Sequence, residues 1–144
     1  MSQFLHVFGT LETVVSASEL AKIAEEAWYG DDDLKVATDT DGVLLTIALP
    51  RGGRPISVQS ETDPERVRTM VDEQLDEHEG TPSDVEGQLL RTLQVVSIEL
   101  FPEAVDDNGW ELLDVVQAWL ARELEGLVVT DDGIYDSALK KVAP

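Results

Sequence analysis

From Asn108 to Tyr135 the chain reads NGWELLDVVQAWLARELEGLVVTDDGIY, and this stretch narrows the possible folds more than any other. Trp110, Leu113, Val116, Leu120 and Leu124 recur at spacings of three and four, and Leu112, Val115 and Trp119 widen the stripe. Glu111, Asp114, Arg122 and Glu125 form a narrower polar face. The pattern predicts an amphipathic helix with a wide apolar arc, which must be buried against another element. Trp110, Val116, Trp119 and Leu120 are its predicted core residues. Asp107 or Asn108 suits the N-cap, and Gly126 suits a left-handed position past the end. Leu127-Val128-Val129 then predicts a short strand, and Asp131-Asp132-Gly133 a hairpin turn.

The preceding segments supply a sheet for this helix. Part of Phe4 to Val15 reads as a strand. Ser16 or Ser18 can cap a helix in SELAKIAEEAW, where Leu20, Ile23, Ala24, Ala27 and Trp28 share one face. Leu34, Val36 and Thr38 alternate with Lys35 and Ala37, and VLLTIALP and PISVQS follow at close spacing. Asp39-Thr40-Asp41-Gly42 and Arg51-Gly52-Gly53-Arg54 punctuate them, so the three strands form an antiparallel meander.

Asp63 and Pro64 open a helix over 64–79, with Val67, Met70, Val71 and Leu75 on its apolar face. Thr81-Pro82-Ser83-Asp84 opens another, whose stripe Val85, Leu89, Leu93, Val96 and Leu100 extends to Phe101. LQVVSIELF within it is β-branched enough to make a strand instead. The unbroken stripe favours helix. The tail SALKKVAP is expected to be loose. The fold class that follows is α+β in a single domain, 1–144. An antiparallel meander packs with helices on one face, and the C-terminal helix leads into a short hairpin.

Charge sets the limits on function. The 144 residues carry 30 Asp+Glu against 10 Lys+Arg, a formal charge of −20. Such a field repels nucleic acid and anionic membrane, and favours a basic protein partner. It equally suits a salt-adapted host. There is no cysteine, so disulfides and Cys-based zinc sites are excluded. No apolar run is long enough to span a membrane and no secretory signal is recognisable, so a cytoplasmic location is expected.

Enzyme chemistry finds few footholds. Asp39-x-Asp41-Gly42 resembles a calcium loop, but the first and last ligand positions would be Ala37 and Ala48. Asp31 to Asp33 and Asp131-Asp132 would hold a divalent cation only if the fold joined them. His6 and His78 lack metal-ligand spacing, and no G-x-S-x-G element is present. Arg51-Gly52-Gly53-Arg54 suits either an anion seat or a hairpin tip. The best binding residues are Asp72, Glu73, Asp76, Glu77 and Glu79 on helix 64–79. Their like-charge pairs at i,i+4 each cost a few tenths of a kcal/mol, roughly 0.2–0.5. A solvated face is the plainer account of the same run.

Two likenesses bear on function. AWLARELEGLVVTDDGIYD resembles the C-terminal part of small bacterial toxin-immunity proteins. SELAKIAEEAW followed by LKVATDTDGVLLTIALPRGGRPISVQS resembles the opening of type III secretion chaperones. Three helices in succession over 64–125 would depart from that second family. The first likeness implies an inhibitor that occludes a basic surface, the second a dimeric binding protein. The expected protein is therefore a non-catalytic, cofactor-free acidic binder of a basic protein, and a homodimer. A small metal-dependent hydrolase using the aspartate clusters is the alternative. Dimerisation is expected through FLHVF, unless that segment pairs within the chain.

Overall fold

The structure is a computed structural model describing residues 2–30, 32–40, 43–50, 52–77 and 80–143, without the side chains of Asp39, Thr40 and Val43. In chain order the elements are β1 (Gln3–Gly9), α1 (Ala17–Ala27), β2 (Lys35–Thr40), β3 (Val43–Ala48), β4 (Ile56–Glu61), α2 (Pro64–Glu77) and α3 (Ser83–Leu90). They continue as β5 (Gln94–Leu100), α4 (Asp107–Glu123), β6 (Leu127–Thr130), β7 (Gly133–Tyr135) and β8 (Lys141–Ala143). The strands form one eight-stranded antiparallel sheet in the order β2-β3-β4-β5-β1-β6-β7-β8. The α+β class and the antiparallel meander are as expected.

Alternation along the strands builds two cores. Leu5 and Val7 of β1, Val96, Ile98 and Leu100 of β5, and Val128 of β6 belong to one cluster. It is closed by Leu20 and Ala24 of α1 and by Leu112, Val116 and Leu120 of α4. Phe8, Val95, Leu127 and Val129 point to the opposite face, where Val67 and Val71 of α2 and Val85 and Leu89 of α3 cover them. Helices thus lie on both faces of the sheet rather than on one. The second cover is partial, since Gln59 on that face of β4 is exposed.

The stripe expected to run from Val85 to Leu100 breaks at Arg91. Residues 94–100 are a strand between β4 and β1, not a continuation of the helix. Val95, Val96 and Ile98 are buried on alternating sides there, a setting that rewards β-branched side chains. Leu93, assigned to the helical stripe, is 45% exposed. The tail is also ordered: Lys141–Ala143 pairs with β7 and buries Ala143. β1, the segment behind the dimer expectation, is paired on both sides, with β5 along its whole length and with β6 at His6 to Phe8.

At α4 the expected core holds for Val116 and Leu120, which are fully buried. Trp110 and Trp119 pack against that core while half-buried, and Val115 is exposed. The cap is Asp106, whose side chain accepts from the Gly109 N–H at 2.9 Å. The left-handed residue past the helix is Glu125, at φ 47°, rather than Gly126.

Candidate binding cleft

α2 begins where the Asp63 carboxylate accepts from the Glu65 N–H at 3.0 Å. Val67, Val71 and Gln74 seat the helix on the second face of the sheet. Neighbours on a helix face lie three or four residues apart, so α2 divides its remaining side chains between two flanks. Met70, Glu73 and Glu77 fall on one flank, and Arg68 and Asp72 on the other. Asp76 is exposed and lines neither cleft.

The first flank overhangs a cleft of about 610 Å³. Strand periodicity brings Phe4, His6 and Phe8 of β1 to its floor, and β6 adds Val129 and, past its end, Asp131. Glu73, Glu77 and Asp131 are its carboxylates, and no Lys or Arg is among its described lining residues. The Phe4 ring, 46% exposed, stacks on the His6 imidazole with 5° between planes and 6.0 Å between centroids. His6 Nδ1 lies 2.9 Å from the Ser97 hydroxyl across the β1–β5 pair. Burial pushes the His6 pKa below its ordinary value, opposed by the nearby Asp131 charge, so the ring is neutral at pH 7. Glu99, half-buried, stands opposite Phe4 in the register.

Gln74 is the one buried polar residue of this wall, 8% exposed, and its side-chain N–H₂ has no hydrogen-bond partner. A buried amide without a partner costs about 1–3 kcal/mol, and this nitrogen is closed to solvent, so the cost is carried inside the fold and not at the cleft surface. The carboxylates accept, and the cleft therefore suits a ligand that brings positive charge.

The second flank borders a less polar cleft of about 540 Å³, with Val67, Val71, Leu90 and Leu93 beside Arg68 and Asp72. Its inner end is fixed by Gln94, whose side-chain N–H₂ donates to the carbonyls of Leu11 and Thr13 at 2.9 and 2.6 Å.

Of the five acidic residues singled out in the sequence, Glu73 and Glu77 line the acidic cleft, Asp72 lines the other, and Asp76 points outward. Glu79 lies outside the described residues, as do Asp31, Asp41, Arg51 and His78. Asp32 and Asp33 are exposed in the α1–β2 connection, while Asp131 lines the cleft. No group of three or more His, Asp or Glu that could hold a metal ion occurs among the described residues. At the hairpin tip Arg54 stacks over the Phe101 ring at 4.9 Å. Phe4, His6 and Gln74 were not among the predicted site residues. The alternation in FLHVF was the signal that places Phe4, His6 and Phe8 on one face. No described helix is long and apolar enough to cross a membrane. No family model matches this chain, and neither a curated protein nor a solved structure matches it.

Proposed function

We propose that this protein is a non-catalytic binder of a basic protein, acting in the manner of an inhibitor or immunity protein by occluding a basic surface. The acidic cleft beside α2 receives a basic side chain of that partner. The observation that carries this reading is the set Glu73, Glu77 and Asp131 around one concave site with no Lys or Arg among its described lining residues. At the other end of the same helix Arg66 pairs with Glu61 at 3.3 Å, whereas no Lys or Arg among the described residues lines the cleft. The exposed Asp72 and Asp76 extend the negative field beyond the cleft, which steers a basic partner during encounter.

The test is the association rate of a short arginine- and lysine-containing peptide, measured by stopped-flow fluorescence across a salt series. The Debye length falls from about 10 Å at 0.1 M to about 3 Å at 1 M, so the rate should drop steeply. Glu73→Gln with Glu77→Gln should weaken binding and flatten the salt dependence. A rate that ignores both salt and the double substitution would overturn the reading.

A further inference from the structure

We infer that a separate cleft, between α4 and strands β1, β6 and β7, binds a small organic amine: a primary ammonium carried on an aromatic or apolar body, with the Gln117 carboxamide as its buried anchor. The cleft lies across the sheet from the acidic one, and the inference stands apart from the basic-partner reading.

Helical spacing builds one wall. Trp110, Asp114 and Gln117 are four and three residues apart, so they share one flank of α4. Strand alternation builds the other. Leu5 and Val128 face α4, opposite to the side that carries Phe8 and Val129. Tyr135, which stands beside Val128 in the register, and Leu139 complete the wall. The Asp136 carboxylate accepts from the N–H groups of Ala138 and Lys140 at 2.9 Å each, which fixes the turn that carries Leu139. The enclosed space is about 370 Å³. Small-molecule sites span roughly 300–1,000 Å³ and combine apolar walls with a few placed polar groups.

Gln117 is the placed polar group. It is 5% exposed, and its carboxamide makes no hydrogen bond to any described residue. The Gln74 nitrogen is sealed within the fold, whereas the Gln117 amide atoms stay open to the cleft that they line. A buried amide without a protein partner and reachable from one cavity finds its partner in that cavity.

The surroundings set the chemistry of that partner. Asp114 and Asp132 line the cleft with no Lys or Arg among its described lining residues, which excludes an anion. Burial first, and the Glu111 charge second, raise the Asp114 pKa, so its ionised form lacks a counter-charge that an ammonium supplies. The rings of Trp110 and Tyr135 attract a cation through their faces. The Gln117 carbonyl accepts from an ammonium N–H. Leu5, Val128 and Leu139 take the apolar body, which an inorganic cation lacks.

The experiment titrates the full chain with phenethylamine and with phenethyl alcohol, an uncharged analogue of nearly the same shape, by calorimetry and by side-chain amide resonances. The amine should bind roughly tenfold more tightly than the alcohol, the scale of one good cation–ring contact. Asp114→Asn and Gln117→Leu should each weaken the amine severalfold, with circular dichroism checked in parallel. Glu73→Gln with Glu77→Gln should leave its affinity unchanged. In the wild type the Gln117 side-chain N–H₂ resonances should move with the amine, a readout that does not depend on the folding of any variant. Equal affinities for amine and alcohol, failure of the amine to bind, or unmoved Gln117 resonances would each overturn the inference. So would an amine affinity that survives Gln117→Leu or is lost in the Glu73 and Glu77 double variant. None of these results bears on the basic-partner reading.

Discussion

Gly126 abuts the backbone of Phe8, and a Cβ at position 126 would land on the Phe8 carbonyl oxygen. β6 can pair with β1 only because the residue leading into it has no side chain. The adjacent Glu125 carries the positive φ instead, and its carbonyl accepts from the Thr10 hydroxyl at 2.8 Å. Gly126→Ala should therefore destabilise by about 1–3 kcal/mol, as overpacking against fixed backbone does. Glu125→Gly relieves a left-handed residue and should stabilise by up to about 1 kcal/mol. Urea unfolding of the two variants checks the pair; the opposite signs would show that the glycine serves the turn and not the close approach.

Leu120 is fully buried between α4 and the sheet, and Val115, five residues earlier, is 41% exposed. Leu120→Ala should cost about 2–5 kcal/mol, whereas Val115→Ala should stay within about 0.5 kcal/mol. Equal costs in thermal or chemical denaturation would contradict the way α4 faces the sheet.

His6 titrates below its ordinary 6.5 because burial disfavours its charged form. The unfolded chain then binds the proton more readily than the folded one. Stability is complete above the unfolded pKa and falls as pH drops through it toward the folded value. Asp131 limits the depression without reversing it, and Glu73 and Glu77 of α2 line the same cleft. Relative to His6→Gln, the wild type should lose stability between about pH 7 and pH 5. A stability difference that stays constant over this window would contradict the burial of a neutral imidazole.

Asp114 has its pKa raised by burial first and by the Glu111 charge one turn earlier second, from an ordinary 3.8. The folded state holds this proton more tightly than the unfolded state, so the ionised carboxylate is unfavourable at neutral pH. Asp114→Asn should raise the melting temperature at pH 7. The gain should shrink as pH falls through the folded pKa, where the wild-type residue becomes neutral too. A gain that persists in acid would mean that the amide acts through a new contact rather than through lost charge.

Much of this fold is legible in the chain. The α4–β6–β7 unit, α1 with its Ser16 cap, and the β2–β3–β4 meander all follow from period and turn residues. Two misreadings share one cause. Val85, Leu89, Leu93, Val96 and Leu100 fit a helical stripe, yet Val95-Val96 and Leu127-Val128-Val129 are consecutive buried residues. Such runs belong to strands covered on both faces, and they signal that a second helical layer exists. Once 94–100 is a strand, α2 and α3 have a face to cover and α2 gains its two flanks. Of the cleft, Glu73 and Glu77 are visible as charge. Phe4, His6 and Asp131 join them only through the pairing of β1 with β5 and β6, which links positions far apart in sequence. Gln74 reads as one more polar residue on a charged helix, and only its burial marks it.

The most direct test of the account is nuclear magnetic resonance on the labelled full chain titrated with the short arginine- and lysine-containing peptide. The cleft reading predicts that the largest amide shifts fall on Phe4, His6, Glu73 and Asp131, which line it. Glu73→Gln with Glu77→Gln should abolish those shifts at the same peptide concentration. Shifts spread evenly over the acidic surface, including Glu86 of α3 and Glu111 of α4, would contradict the account and leave only diffuse attraction between a negative protein and a positive peptide.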